Sequence, residues 1–167
     1  MDLKQMILAQ LEREAAATRR TLECVPEGRN DWKPHEKSMT LGYLSGLVAS
    51  MPAWAEFMIK RDELDLSHSS AEPFKTKVLE NRIELLKTLD DGLIKSRNVL
   101  ERTTDEHLQR PWRFVTGGRI LFNAPRYVAL NESLFCHMAH HRGQLTVYLR
   151  LNEATVPGIY GPSADEH

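Results

Sequence analysis

The sequence predicts an all-α protein, a four-helix bundle with a short β-hairpin-like connection before the last helix. Two observations carry that expectation. Four stretches of roughly 20 residues or more repeat apolar side chains in steps of three and four, the helical period. Only one segment is rich in β-favouring residues, WRFV and RILF on either side of Gly117-Gly118. Two strands alone are not stable in water, so that segment has to lean on the helices.

The first helical segment is expected from Asp2 to about Cys24, with Leu3, Met6, Ile7, Leu11, Ala15, Thr18 and Leu22 on its stripe. Asp2 is the expected N-cap, and Pro26 and Gly28 end the element. In the loop that follows, Pro34 biases Lys33 away from helix. The second helix is expected from about Thr40 to Leu64, capped by Ser38 or Thr40 and kinked at Pro52, which removes a backbone bond. Residues 65–73 are polar and turn-rich. The third helix is expected from about Phe74 to Arg102. After the hairpin, the last helix is expected to run to about Leu151, with Asn123 as cap and Pro125 just inside its start. The tail, NEATVPGIYGPSADEH, reads as an irregular strap over a pocket, or over a second copy of the chain.

A chain of 167 residues suits one domain over residues 1–167. Apolar residues make up 41% and charged residues 27%, enough to build a core. Lys and Arg number 22 against 23 Asp and Glu, a net charge of −1. Neither a basic groove nor a helix-turn-helix pattern points to nucleic acid. No apolar run approaches the roughly 20 residues of a membrane span. The N-terminus lacks a signal-peptide pattern. Cys24 and Cys136 read as reduced thiols. The expected location is cytoplasmic.

The stretch CHMAHHRGQLTVYLR, 136–150, carries the chemistry. His137 and His141 are one helical turn apart, on the stripe that continues through Leu134, Leu145 and Tyr148. Two inward imidazoles can bind a divalent cation such as zinc, nickel or iron. They can equally be buried polar groups satisfied by each other, a tyrosine or a water. His140 lies about 100° off that face, and Gln144 is placed to hydrogen-bond a ring nitrogen. Trp54 reads as core. Trp32 and Trp112, in connections, read as fairer candidates for a pocket lid. Arg13, Arg19 and Arg20, interleaved with glutamates, read as a solvated face.

The strings HHRGQLTVYLR and VPGIYGPSADE, with WKPHEKSMTLGYLSGLVASMPAW earlier, resemble the DinB family over essentially the whole chain. That resemblance implies a four-helix bundle, often dimeric, with a metal held by one histidine of the second helix and two in the last. The last pair corresponds to His137 and His141. Leu47 stands where the second-helix histidine is expected, and leucine cannot ligate. Met51, His35, His68 and Glu132 are poor substitutes by chemistry or by position. Family members of assigned activity are transferases and isomerases that use low-molecular-weight thiols.

Two readings follow. In the first, the protein has a degenerate metal site and binds a small molecule in a cavity between Leu47, Met51, His137 and His141. It would then serve as a homodimeric binding or stress-response module. In the second, it is an active metal-dependent thiol transferase or hydrolase using His137 and His141.

Overall fold

The computed structural model describes residues 2–67 and 76–166. The chain is mostly helical and carries a small three-stranded sheet.

Helix α1 (Leu3–Glu23) starts as its cap residue dictates, with Asp2 Oδ1 accepting from the Gln5 N–H at 2.8 Å. A second carboxylate serves the same end. Asp105 accepts from the Leu3 and Lys4 N–H groups at 2.9 and 3.0 Å, tying the start of α1 to a residue a hundred positions away. The buried face of α1 holds Ile7, Leu11, Ala15, Thr18 and Leu22, and also Glu14.

Helix α2 (Leu41–Ser50) is capped by Thr40, whose hydroxyl accepts from the Tyr43 N–H. The chain then tightens into a 3-10 turn at Met51–Ala53 and resumes as α3 (Trp54–Lys60). This break is how the structure absorbs Pro52. The bend is held from outside, because Ser96 Oγ donates to the Pro52 carbonyl at 2.5 Å. The helical run ends at Lys60, short of Leu64, which lies instead in strand β1 (Glu63–Asp65). At Gly46, a Cβ would stand 2.3 Å from the Lys77 carbonyl oxygen, so only glycine lets the 76–79 segment approach α2 so closely.

Helix α4 (Arg82–Arg102) begins later than the apolar spacing suggests. Asn81 caps it by accepting from the Glu84 N–H at 3.0 Å, and residues 76–79 upstream are not helical. Phe74, the expected start, lies outside the described residues. A short α5 (Asp105–Gln109) follows, capped by Thr104.

Strands β2 (Pro111–Thr116) and β3 (Arg119–Pro125) form the expected antiparallel hairpin. Gly117 and Gly118 both adopt positive φ, 52° and 79°, the requirement of a tight two-residue turn. Strand β1 adds to β2 in parallel. Asn123 pairs with Arg113 inside β3, so it is not a helix cap. The last helical limb begins one residue after Pro125, which is still extended. It consists of α6 (Arg126–Ala129), a π-helical turn at Leu130–Cys136 and α7 (His137–Leu151).

The core lies where α1, α2, α3, α4 and α7 pack on one another, with Leu11, Leu44, Met51, Leu89, Leu134 and Leu145 among its fully buried side chains. Two buried arginines join the elements. Arg126 donates to the carbonyls of Met58, His107 and Arg61 and to Asp62, closing the sheet end of the molecule. Arg142 donates to the Glu14 carbonyl, the Thr18 hydroxyl, the Glu14 carboxylate at 2.6 Å and the Tyr160 hydroxyl. Through Tyr160 the tail is strapped onto α1 and α7. Asp165 closes it further, bonded to the Val156 N–H and to Arg150.

Removing one partner of a buried ion pair leaves the other charge stranded. Glu14→Ala is expected to cost about 3–5 kcal/mol in urea unfolding. Tyr160→Phe, which deletes one hydroxyl at the edge of the same network, is expected to cost about 1 kcal/mol.

Candidate functional site

His137 and His141 leave α7 on the same face, and their Nε2 atoms lie 2.8 Å apart, with ring centroids 4.5 Å apart. His141 is buried and His137 half-buried. The His141 Nδ1 meets Gln144 Oε1 at 2.8 Å, the contact its spacing predicts. The Ser133 backbone, one turn earlier, favours the protonated form of His137. The indole of Trp54, from the start of α3, packs on His137 with ring centroids 5.6 Å apart. His140 stands beside the pair, its ring centroid 5.1 Å from that of His141.

Counting protons shows what this arrangement can do. A neutral imidazole carries one N–H. Where Ser133 and Gln144 each accept from a ring, both N–H groups are used and both Nε2 atoms are bare. Two lone pairs facing each other at 2.8 Å require a proton or a cation between them. Where the Gln144 amide presents its NH2 group instead, His141 regains its proton at Nε2 and donates it to His137. The neutral pair is then satisfied without a cation. The donor set therefore fits a divalent ion with two nitrogen ligands, and Gln144 sets which state is favoured.

Burial lowers the pKa of both histidines. At His137 the neighbouring His141 and His140 lower it further, while the Ser133 contact opposes the shift. At His141 the Gln144 contact opposes burial and His140 adds to it.

The π-helical turn directly precedes His137. Its i→i+5 bonding winds the chain more widely than an α-helix, so residues five apart come near one side. Glu132 and His137 are five apart and line the same cavity, together with Ser133, His140, Trp54, Leu64, Leu66 and Phe114. The cavity has a volume of about 540 Å³. Neither Leu47 nor Met51 lines it: both are buried in α2 and the turn that follows. The opening beside the histidines thus lies between α3, the sheet and the π-turn, not at the expected central position. Among the described residues, no group of three or more His, Cys, Asp and Glu is placed to hold a metal ion.

The remaining candidates resolve individually. His35 is exposed in its loop, its Nδ1 accepting from the Lys37 N–H. His68 lies outside the described residues. Trp112 is fully buried against Phe114 and is not a lid. Trp32 packs edge-on against Tyr148, whose hydroxyl donates to the Met39 carbonyl and not to an imidazole. Cys136 is exposed.

A family model described as the DinB family matches residues 1–167. The chain belongs to the DinB family. The fold agrees with solved DinB-like proteins. One, YjoA from Bacillus subtilis, superposes with a TM-score of 0.67 at 23% identity, covering 95% of this chain and 99% of the other. Another, from Bacillus cereus ATCC 10987, gives 0.69 at 21% identity over 92% and 95% of the two chains. A closer sequence likeness is local. The uncharacterized protein YrdA of Bacillus subtilis (strain 168) is 58% identical over 63 residues, 38% of this chain and about a third, 34%, of YrdA.

The lowered pKa values fix the direction of a pH effect. In the folded protein each ring binds protons less readily than at its ordinary value of 6.5. The unfolded chain therefore takes up more protons below that pH, and stability rises with pH there. Urea midpoints are expected to climb from pH 5 to about 7 and then level off, as far as this pair is concerned. The His137→Gln/His141→Gln double variant is expected to show a shallower climb.

Proposed function

We propose that this DinB-family protein is a four-helix bundle of unassigned activity whose metal site is reduced to two histidines. On this reading Leu47 occupies the place of the family's second-helix ligand. His137 and His141 hold zinc, nickel or iron weakly or not at all, and a small molecule binds in the cavity beside them. The observation that carries the reading is the pair itself: two Nε2 atoms 2.8 Å apart, with no third metal-ligating side chain grouped with them among the described residues. With the Gln144 amide turned to present its NH2 group, the neutral pair closes its own hydrogen bonds, so the site does not need an ion to be stable. The same reading takes the protein as a cytoplasmic homodimer and a binding or stress-response module, with neither nucleic acid nor membrane as partner. Among the described residues no helix is long and apolar enough to cross a membrane.

A second reading, an active metal-dependent thiol transferase or hydrolase, is supported by the setting Gln144 has in the structure. With its oxygen toward Nδ1, both Nε2 lone pairs converge as ligands do. His137 and His141 would then hold the ion, which when bound polarises a thiol or activates a water. Gln144 and the Ser133 backbone would orient the two rings.

Metal analysis by plasma mass spectrometry of tag-free protein and its His141→Ala variant separates the two. The first reading expects well under one equivalent of metal in both after incubation with zinc and nickel. Near-stoichiometric metal that disappears in the variant would instead carry the second reading, to be followed by thiol-transfer assays. Leu47→His, which restores the missing donor, is expected to tighten zinc binding in titration calorimetry by more than about 100-fold, beyond what outer-sphere changes achieve.

A further inference from the structure

The cavity beside His137 is lopsided in its chemistry. Four of its lining residues are apolar, Trp54, Leu64, Leu66 and Phe114, and two of those are aromatic. Its polar side holds Ser133, His137, His140 and a single carboxylate, Glu132. No lysine or arginine is among the described lining residues, and among the described residues no ion pair engages Glu132. A volume of about 540 Å³ is in the range of small-molecule sites. The two buried arginines are committed elsewhere, Arg126 to Asp62 and three backbone carbonyls and Arg142 to Glu14, Thr18 and Tyr160.

We propose that this cavity binds a small hydrophobic amine, with its aryl or alkyl body among Trp54, Phe114, Leu64 and Leu66 and its ammonium against Glu132. Charge complementarity selects that ligand class. A carboxylate without a cationic neighbour attracts a positive group and repels an anionic one. Indole and phenyl faces add attraction for a cation and none for an anion. The π-turn matters because it sets Glu132 on the wall that His137 also lines. The proposal rests on the two-histidine site lacking a resident divalent cation, since a resident ion would reverse the local charge.

The test uses the full chain, treated with chelator and dialysed, at pH 8, with three probes of one shape: phenethylamine, 2-phenylethanol and phenylacetate. Titration calorimetry is expected to show phenethylamine binding about tenfold more tightly than the alcohol, and phenylacetate more weakly than either. Glu132→Gln, an exposed and isosteric change, is expected to bring amine and alcohol together while the protein stays folded. Equal binding of amine and alcohol, preference for the carboxylate, no binding of any probe, or a preference that survives Glu132→Gln would each overturn the proposal. Metal content is measured on the same preparation before chelation. Stoichiometric metal there defeats the two-histidine reading, whereas the probe series in chelated protein decides the ligand class.

Discussion

A guanidinium carries five N–H donors and a permanent charge, and it cannot be taken out of water without partners for them. Arg142 is 1% exposed, and its partners come from two other parts of the chain. Glu14 and Thr18 reach it from α1, and Tyr160 reaches it from the tail. Meeting those demands leaves α7 little freedom to rotate or slide against α1. Arg142 directly follows His141, so the constraint that holds the helix also sets the direction of the imidazoles. The tail string that looked like a strap is a strap, but its anchor is this ion pair and not the cavity.

The same logic of satisfied donors explains the histidine pair. Two rings at 2.8 Å are either a closed hydrogen-bonded unit or a pair of ligands, and the difference is one amide orientation at Gln144. Burial favours the neutral rings, which suits both states. On the proposed reading Leu47 bears on the balance, because a three-nitrogen site offers a cation more than a two-nitrogen site does. A pair that can satisfy itself in this way is stable with or without an ion.

Next to this pair the last helical limb departs from simple α-helical geometry. The turn at Leu130–Cys136 is π-helical, and it lies next to the cavity. Such turns widen a helix locally and re-aim its side chains. Here it brings Glu132 and Ser133 to the wall that His137 lines. The small sheet closes the other side through Leu64 and Phe114. Arg126 pins the sheet end to the helices by gathering carbonyls from α3, from Arg61 just after it, and from α5. The cavity is thus walled by elements far apart in sequence.

The local features were legible in the sequence because they depend on neighbours along the chain. Asp2 and Thr40 cap the helices they precede, Pro52 breaks the one it interrupts, and Gly117-Gly118 turns the hairpin. The four-residue spacing of His137 and His141, and the three-residue reach to Gln144, follow from the pitch of one helix. The late start of α4 was missed because apolar spacing says nothing about which side chain captures the first free N–H. Strand β1 was missed because three residues have no period, and only β2 gives them a partner. A 100° projection put Glu132 off the histidine face, and no residue type marks a π-turn in advance. Trp112 looked like a lid because it sits in a connection, but the sheet buries it. What the sequence alone determined, then, was helix periods, caps, turns and the imidazole pair, all of them interactions over a few residues. The location of the cavity, the partners of Arg142 and the place of Glu132 were decided only by tertiary packing, because each depends on charges and surfaces that meet from distant parts of the chain.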